Sequence, residues 1–367
     1  MYKVSSILVE THWEMENNTT DIEVLALQLK TRSPTVQVVE FSMLILIILI
    51  TIVGNLAVLT ILYKTPSLRT MASLFIASLA VSDLALPILC SSFSAAVLIF
   101  GYWPFGEFLC QFQSFGVLVL ACASLQTMAL TAVNRYFCIV RPMYYRQIFT
   151  ARRTKLMITA VWILACTEPV PYLISGKRYK FHPGKFFCFQ GKEISFESLL
   201  VYAYITFPMV IIFFCYFNVF WTLHQHQKVV VQKLNGGKAK AGGLKPSIEE
   251  IKATKTLFLT VVGFVAVWTP VTVVDFIDFA NGHWILPRQV YVMYTFLGTA
   301  SSTLNPFIYG MTNRNFRKEY KKLFRLGGQL STSSPNTNGS KVHPLELAQN
   351  KRKYDKPQTQ ATTSEQG

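Results

Sequence analysis

Seven long apolar stretches, separated by shorter polar and basic ones, set the pattern of this chain. They run over residues 38–63, 71–99, 108–140, 156–175, 197–223, 256–280 and 288–311. Each holds about 20 residues or more, enough for a helix to cross a hydrocarbon core of about 30 Å. Only helices and closed barrels leave no backbone group unpaired in lipid. Runs of this length lack the short alternation of barrel strands. The pattern predicts an all-α membrane protein, a seven-transmembrane helix bundle over 38–311.

The flanks differ in kind. Residues 1–37 are polar and mixed, and read as an N-terminal segment outside the bundle. The start has no cleavable signal peptide, because its apolar part is too short and polar, acidic sequence follows. The first span then acts as an uncleaved insertion signal. Beyond the seventh span, Phe316, Tyr320, Leu323 and Phe324 recur at helical spacing among basic residues. Residues 312–326 therefore read as a short amphipathic eighth helix on the membrane surface. Residues 327–367 are rich in Gly, Ser, Thr, Asn and Gln and read as a disordered tail. The stretch GGKAKAGGLKP in loop 224–255 reads as a flexible linker.

Charge then orients the bundle. The chain has 367 residues, 51% hydrophobic and 15% charged, with a net charge of +16. Such a charge often marks nucleic-acid binding. Here the basic residues sit at the ends of apolar runs, so the bilayer is the partner and nucleic acid is not. Lys64 and Arg69 follow span one; Arg141, Arg146, Arg152, Arg153 and Lys155 follow span three; a lysine series from Lys228 to Lys255 follows span five. Arg314, Arg317, Lys318, Lys321, Lys322 and Arg325 follow span seven. The opposite side carries mainly Lys177, Arg178, Lys180, Lys185 and Lys192. The positive-inside rule puts the N-terminus outside, as in a multi-pass protein of the plasma membrane. Asn17 and Asn18 each start an Asn-X-Thr sequon, so both are glycosylation candidates on that side.

Of the seven cysteines, Cys110 and Cys188 lie near or beyond the outer surface, the oxidising side. They are the expected disulfide. The other five read as small buried apolar residues. Asp83 is the lone acid of span two, at about mid-depth, and an intramembrane acid is costly unless it is partnered or functional. Asn55, Ser124, Ser301, Ser302 and Asn305 lie at comparable depth. With Asp83 they form either a hydrogen-bonded polar hub or a site for an allosteric sodium ion, the one cofactor candidate. Pro208, Pro270 and Pro306 lie inside spans and predict kinks.

In this order the chain resembles the rhodopsin-like (class A) G-protein-coupled receptors over about residues 38–326. The resemblance is carried by Asn55, Leu79-Ala80-x-x-Asp83, Cys110, Asn134-Arg135-Tyr136, Trp162, Cys188, Pro208, Tyr216, Trp268-x-Pro270 and Asn305-Pro306-x-x-Tyr309. It implies a receptor, not an enzyme, that opens its cytoplasmic face when a ligand binds and then activates a heterotrimeric G protein. It makes Asn134, Arg135, Tyr136, Tyr216, Asn305, Pro306 and Tyr309 G-protein-side switch residues. Glu250 lies 20 residues before Pro270, near the depth of Arg135, and this family often pairs these two positions at rest. The resemblance implies a pocket lined by Gln113, Val117, Leu118, Ala121, Tyr204, Trp268, Val271, Thr272, Asp275, Tyr291 and Thr295. Arrestin is expected on the tail, at Ser331, Thr332, Ser333 and Ser334, once they are phosphorylated.

Asn134-Arg135-Tyr136, Ile308-Tyr309-Gly310 and Asn315-Phe316-Arg317 are similar to the melatonin receptors, which points to the inhibitory G-protein class. The chain departs from them at Asn305-Pro306, at Val267-Trp268-Thr269-Pro270 and at Tyr172, which falls where they place a ligand-binding Asn. The ligand stays open. A retinal opsin needs a lysine in span seven, where this chain has Thr299. Aminergic receptors carry an Asp seven residues after the span-three cysteine. That residue here is Val117, and only Asp275 or Asp278 would stand in. A transporter or channel is the alternative class, but the chain lacks a two-fold repeat, a row of intramembrane charges and an acidic ring.

Overall fold

The protein is described by a computed structural model over residues 21–191, 196–234 and 248–330. A short helix, α1 (21–30), precedes α2 (Pro34–Lys64), whose first turn is set by the Ser33 cap and Pro34. The second span is α3 (Met71–Leu86), a π-helical turn over Pro87–Ser91, and α4 (Ser92–Phe100). Pro87 has no N–H to donate, and the wide turn absorbs the loss. Then come α5 (Gly106–Ile139), α6 (Pro142–Ile148), α7 (Ala151–Thr167) and α8 (Val170–Ile174). A two-stranded antiparallel hairpin follows, β1 (Lys180–His182) and β2 (Phe187–Phe189), with His182 opposite Phe187. The chain continues in α9 (Phe196–Leu234), α10 (Ile248–Asn281), α11 (Arg288–Thr312) and α12 (Arg314–Leu330).

The hydrophobic pattern found all seven spans to within a few residues, save that at one end α9 extends about three turns further and α10 about two. Among the described residues, six helical segments are long and apolar enough to cross a membrane on that ground alone. The seventh, α11, is less apolar because its inner stripe is polar. Tyr291, Tyr294, Thr295, Thr299, Ser301, Ser302 and Asn305 are all buried. The helix at the centre is α5, 67% of whose apolar window is buried, against 22% for the α7–α8 span. It packs against α3, α7 and α9, while α11 closes the ring between α10 and α2.

Two segments differ from the sequence reading. Residues 21–30, within the N-terminal segment read as lying outside the bundle, form a helix that packs on it. Leu25 and Leu29, four residues apart, are both buried. Leu29 packs with Leu44, Leu98 and Phe186, and Leu25 packs with Phe187, Val271 and Tyr291. Helix α12 reaches Leu330, four residues into the stretch read as disordered. Its Phe316, Tyr320 and Leu323 pack on Tyr309 at the foot of the bundle rather than serving lipid alone. By compactness the chain divides into Met1–Leu323 and Phe324–Gly367, of which only the end of α12 is described. Asn17, Asn18 and the 331–334 cluster lie outside the described residues.

Candidate functional site

At the disulfide end the helices enclose a cavity of about 200 Å³. Its floor is Phe264 and Trp268, stacked with ring centroids 5.5 Å apart. Of the expected lining, Val117, Leu118, Ala121, Trp268, Val271, Thr272, Asp275 and Thr295 face it. Three expected residues do not. Gln113 is fully buried between the backbone of Cys90 and that of Cys188, donating to one at 3.0 Å and accepting from the other at 3.1 Å. Tyr204 turns to α7, where its hydroxyl meets Thr167 at 2.9 Å. Tyr291 is fully buried, and its hydroxyl donates to Asp278 at 2.6 Å. In a bundle, such a residue can serve the packing between helices as readily as the cavity, and the chain order does not say which.

The lid is the hairpin. Cys110 in the second turn of α5 is bonded to Cys188 in β2, with Cα atoms 5.4 Å apart. The Ser114 hydroxyl also donates to the Cys188 carbonyl. The hairpin tip then dives into the bundle. Phe186 takes a positive φ of 61°, strained for a bulky side chain. Its ring is fully buried among Leu44, Leu98 and Val292, which offsets that strain. Gly184 lies so close to Tyr291 that a Cβ there would sit 2.8 Å from the ring. Gly184→Ala is therefore expected to destabilise the receptor by about 1–3 kcal/mol, seen as a lower melting temperature in detergent. Unchanged melting would mean that the tip shifts freely.

Lys185, read from sequence as an outward loop charge, is fully buried. Its Nζ is 2.8 Å from Asp275 Oδ1 and 3.7 Å from Asp278 Oδ2. It lies 4.1 Å from the Phe189 ring centroid and 4.2 Å from that of Tyr294. Tyr294 donates to the other Asp275 oxygen at 3.0 Å. Glu168, the lone acid of the fourth span, also lines the cavity and is 2% exposed. The rule that intramembrane acids mark function could have found it; nothing in the sequence signals the depth of Lys185. Beside these, outside the spans, burial pushes the Tyr179 phenol above its ordinary value, and the Glu168 carboxylate adds to the rise. Among the other cysteines, Cys90, Cys122, Cys138 and Cys215 are buried as expected, whereas Cys166 is exposed on α7.

Below the cavity, Asp83 is 3% exposed and accepts from the Asn305 amide at 2.7 Å. Pro306 has no N–H, which frees the carbonyl of Ser302 one turn back. Asn55 answers it, donating at 3.1 Å. Ser124 meets Ser82 at 2.8 Å, and Ser301 donates to Gly298 O at 2.7 Å. The structure thus brings Asp83, Asn305, Ser302 and Asn55 together, and turns Ser124 and Ser301 to their neighbours. The oxygen donors at Asp83 suit a hard cation, while the amide of Asn305 already occupies one carboxylate oxygen.

At the opposite end, Arg135 is 4% exposed and bonds the side-chain oxygen of Asn134, from Nε at 3.1 Å and from a second nitrogen. The amide oxygen of Asn134 thus holds the guanidinium although it carries no charge. Glu250 reaches Cys138, one turn from Arg135 on the same helix. Tyr136 packs against Phe214. Tyr216 is buried against Phe220 and Phe258, and Tyr309 against Phe316.

A seven-helix bundle with a disulfide-pinned lid, a cavity on a tryptophan floor and a buried arginine at the far end defines a receptor. The chain belongs to the rhodopsin family of seven-transmembrane receptors: the profile described as 7 transmembrane receptor (rhodopsin family) matches residues 54–309. It is a class A G-protein-coupled receptor, a multi-pass membrane protein and not an enzyme. It is similar to the melatonin receptor type 1A of Ovis aries, 28% identical over 77% of this chain and 76% of that one. It is also similar to the melatonin receptor type 1B of Mus musculus, 27% identical over 80% and 79%. The crystal structure of squid rhodopsin superposes with a TM-score of 0.67 at 25% identity, covering 83% of this chain and 90% of that one.

Proposed function

We propose that this receptor sits in the plasma membrane with its N-terminus outside, binds a small extracellular ligand in the cavity, and activates a heterotrimeric G protein at the Arg135 end. The observation that carries this reading is the cavity itself, small, largely apolar, lidded by the hairpin and floored by Trp268, two residues before the proline Pro270 inside α10. A ligand resting on Trp268 would bias the bend of α10, whose far end carries Glu250. The likeness to melatonin receptors favours the inhibitory G-protein class and puts indoles first among compounds to try; arrestin would follow on the phosphorylated tail. Tyr172 supports a ligand other than melatonin, since its hydroxyl is engaged by the Gly191 N–H at 3.0 Å and its ring stacks on Tyr179. Asp83 with Ser302 would hold a sodium ion, whose charge would favour the ionised carboxylate and hence one receptor state.

Guanine-nucleotide exchange on purified G proteins of each class tests the reading. Wild type is expected to drive exchange on the inhibitory class, and Arg135→Ala to lose most of it at matched surface expression. Glu250→Ala is expected to raise ligand-free exchange, since a change of about 1.4 kcal/mol shifts a two-state balance ten-fold. Exchange by Arg135→Ala equal to wild type would refute the assignment of that end.

A further inference from the structure

We infer that Glu168 is the anchor for a positively charged nitrogen, so that the ligand class of this cavity is a small amine with an apolar body. The inference rests on the cavity being the ligand site. Glu168 follows the last turn of α7, where Pro169 ends the helix, and its side chain turns inward to line the cavity. It is 2% exposed, and no described residue donates a hydrogen bond to either carboxylate oxygen. A carboxylate so buried is costly without a donor or a cation. The cation that the described residues place at this site is already committed: Lys185 sits between Asp275 and Asp278.

Asp275 and Asp278 are the acids that the sequence offered in place of the absent aspartate at Val117. Both are engaged, by Lys185 and by the hydroxyls of Tyr294 and Tyr291. Among the described residues the cavity therefore presents three carboxylates against one ammonium, and Glu168 is the one left open. Much of the remaining cavity wall is apolar, with Leu118, Ala121 and Cys122 from α5 and the aromatic floor of Phe264 and Trp268. That combination selects a cationic head on a hydrophobic or aromatic body, and selects against carboxylates and phosphates.

The test uses the purified full-length receptor with tryptamine and tyramine, and with their N-acetyl counterparts, which keep the ring and lose the charge. Thermal stabilisation reads binding, and nucleotide exchange on G protein reads function. An amine is expected to stabilise wild type where its N-acetyl counterpart does not. Glu168→Gln, equal in shape, is expected to weaken the amine about ten-fold or more. Equal stabilisation by amine and counterpart, no stabilisation by either amine, or an unchanged amine response in Glu168→Gln would each overturn the anchor. Should Glu168→Gln fail to fold, the contrast of charged and acetylated probes on wild type still decides. The two readings fail separately: activation by N-acetyl compounds alone sinks the anchor and keeps the receptor, whereas Glu168-dependent stabilisation without exchange on any G protein keeps the anchor and sinks the coupling.

Discussion

Cys110→Ala and Cys188→Ala are each expected to remove most of the receptor from the cell surface and to lower its melting temperature sharply. The bridge joins residues 78 apart, fixing the hairpin to the head of α5. Closing a loop of that length restricts the unfolded chain by about 4.5 kcal/mol on the entropic account, and losses of about 2–5 kcal/mol are typical. Two further ties survive the substitution, the Cys188 N–H to Gln113 and the Ser114 hydroxyl to the Cys188 carbonyl. The loss should therefore fall at the lower part of that range. It should also unseat Lys185 and Phe186, so reduction of the wild type by a thiol ought to weaken ligand binding before it unfolds the bundle. Wild-type melting and surface level in Cys110→Ala would show that packing of the hairpin tip alone holds the lid.

Lys185→Met is expected to cost about 3 kcal/mol. The ammonium is 1% exposed and faces two carboxylates, of which Asp278 is also buried and Asp275 about a quarter exposed. Removing it leaves two like charges close together with no cation between them. Water reaching Asp275 relieves part of this, which keeps the loss below the upper end for buried pairs. The decisive comparison is Lys185→Met combined with Asp275→Asn and Asp278→Asn. The Asn oxygens would still accept from Tyr294 and Tyr291, and no charge of this lysine–aspartate cluster would remain, so the triple variant should melt close to wild type. A triple variant as unstable as Lys185→Met would show that the lysine stem, and not its charge, holds the tip in place.

Much of this was legible in the chain. About twenty apolar residues in a row have one stable form in lipid, so seven runs dictate seven spans. The order Cys110, Arg135, Cys188, Trp268, Pro306 fixed the ends of the bundle and the bridge across its lid. Asp83 and Asn305 announced themselves as polar residues at a depth where polarity needs a partner, and they proved to be each other's. The tertiary structure decided what faces inward and how deep the loops go. In a soluble helix the apolar stripe marks the core, but in a membrane helix lipid and core are both apolar, and small residues rather than greasy ones mark contact. So the sequence could not tell that Gln113, Tyr204 and Tyr291 serve the packing, although Glu168 was open to notice as the lone acid of its span. Nor could it place Lys185. The loop has no period to read, and its depth is fixed by Asp275, Asp278 and Tyr294, about a hundred residues further along the chain, which only folding brings to the same few ångströms.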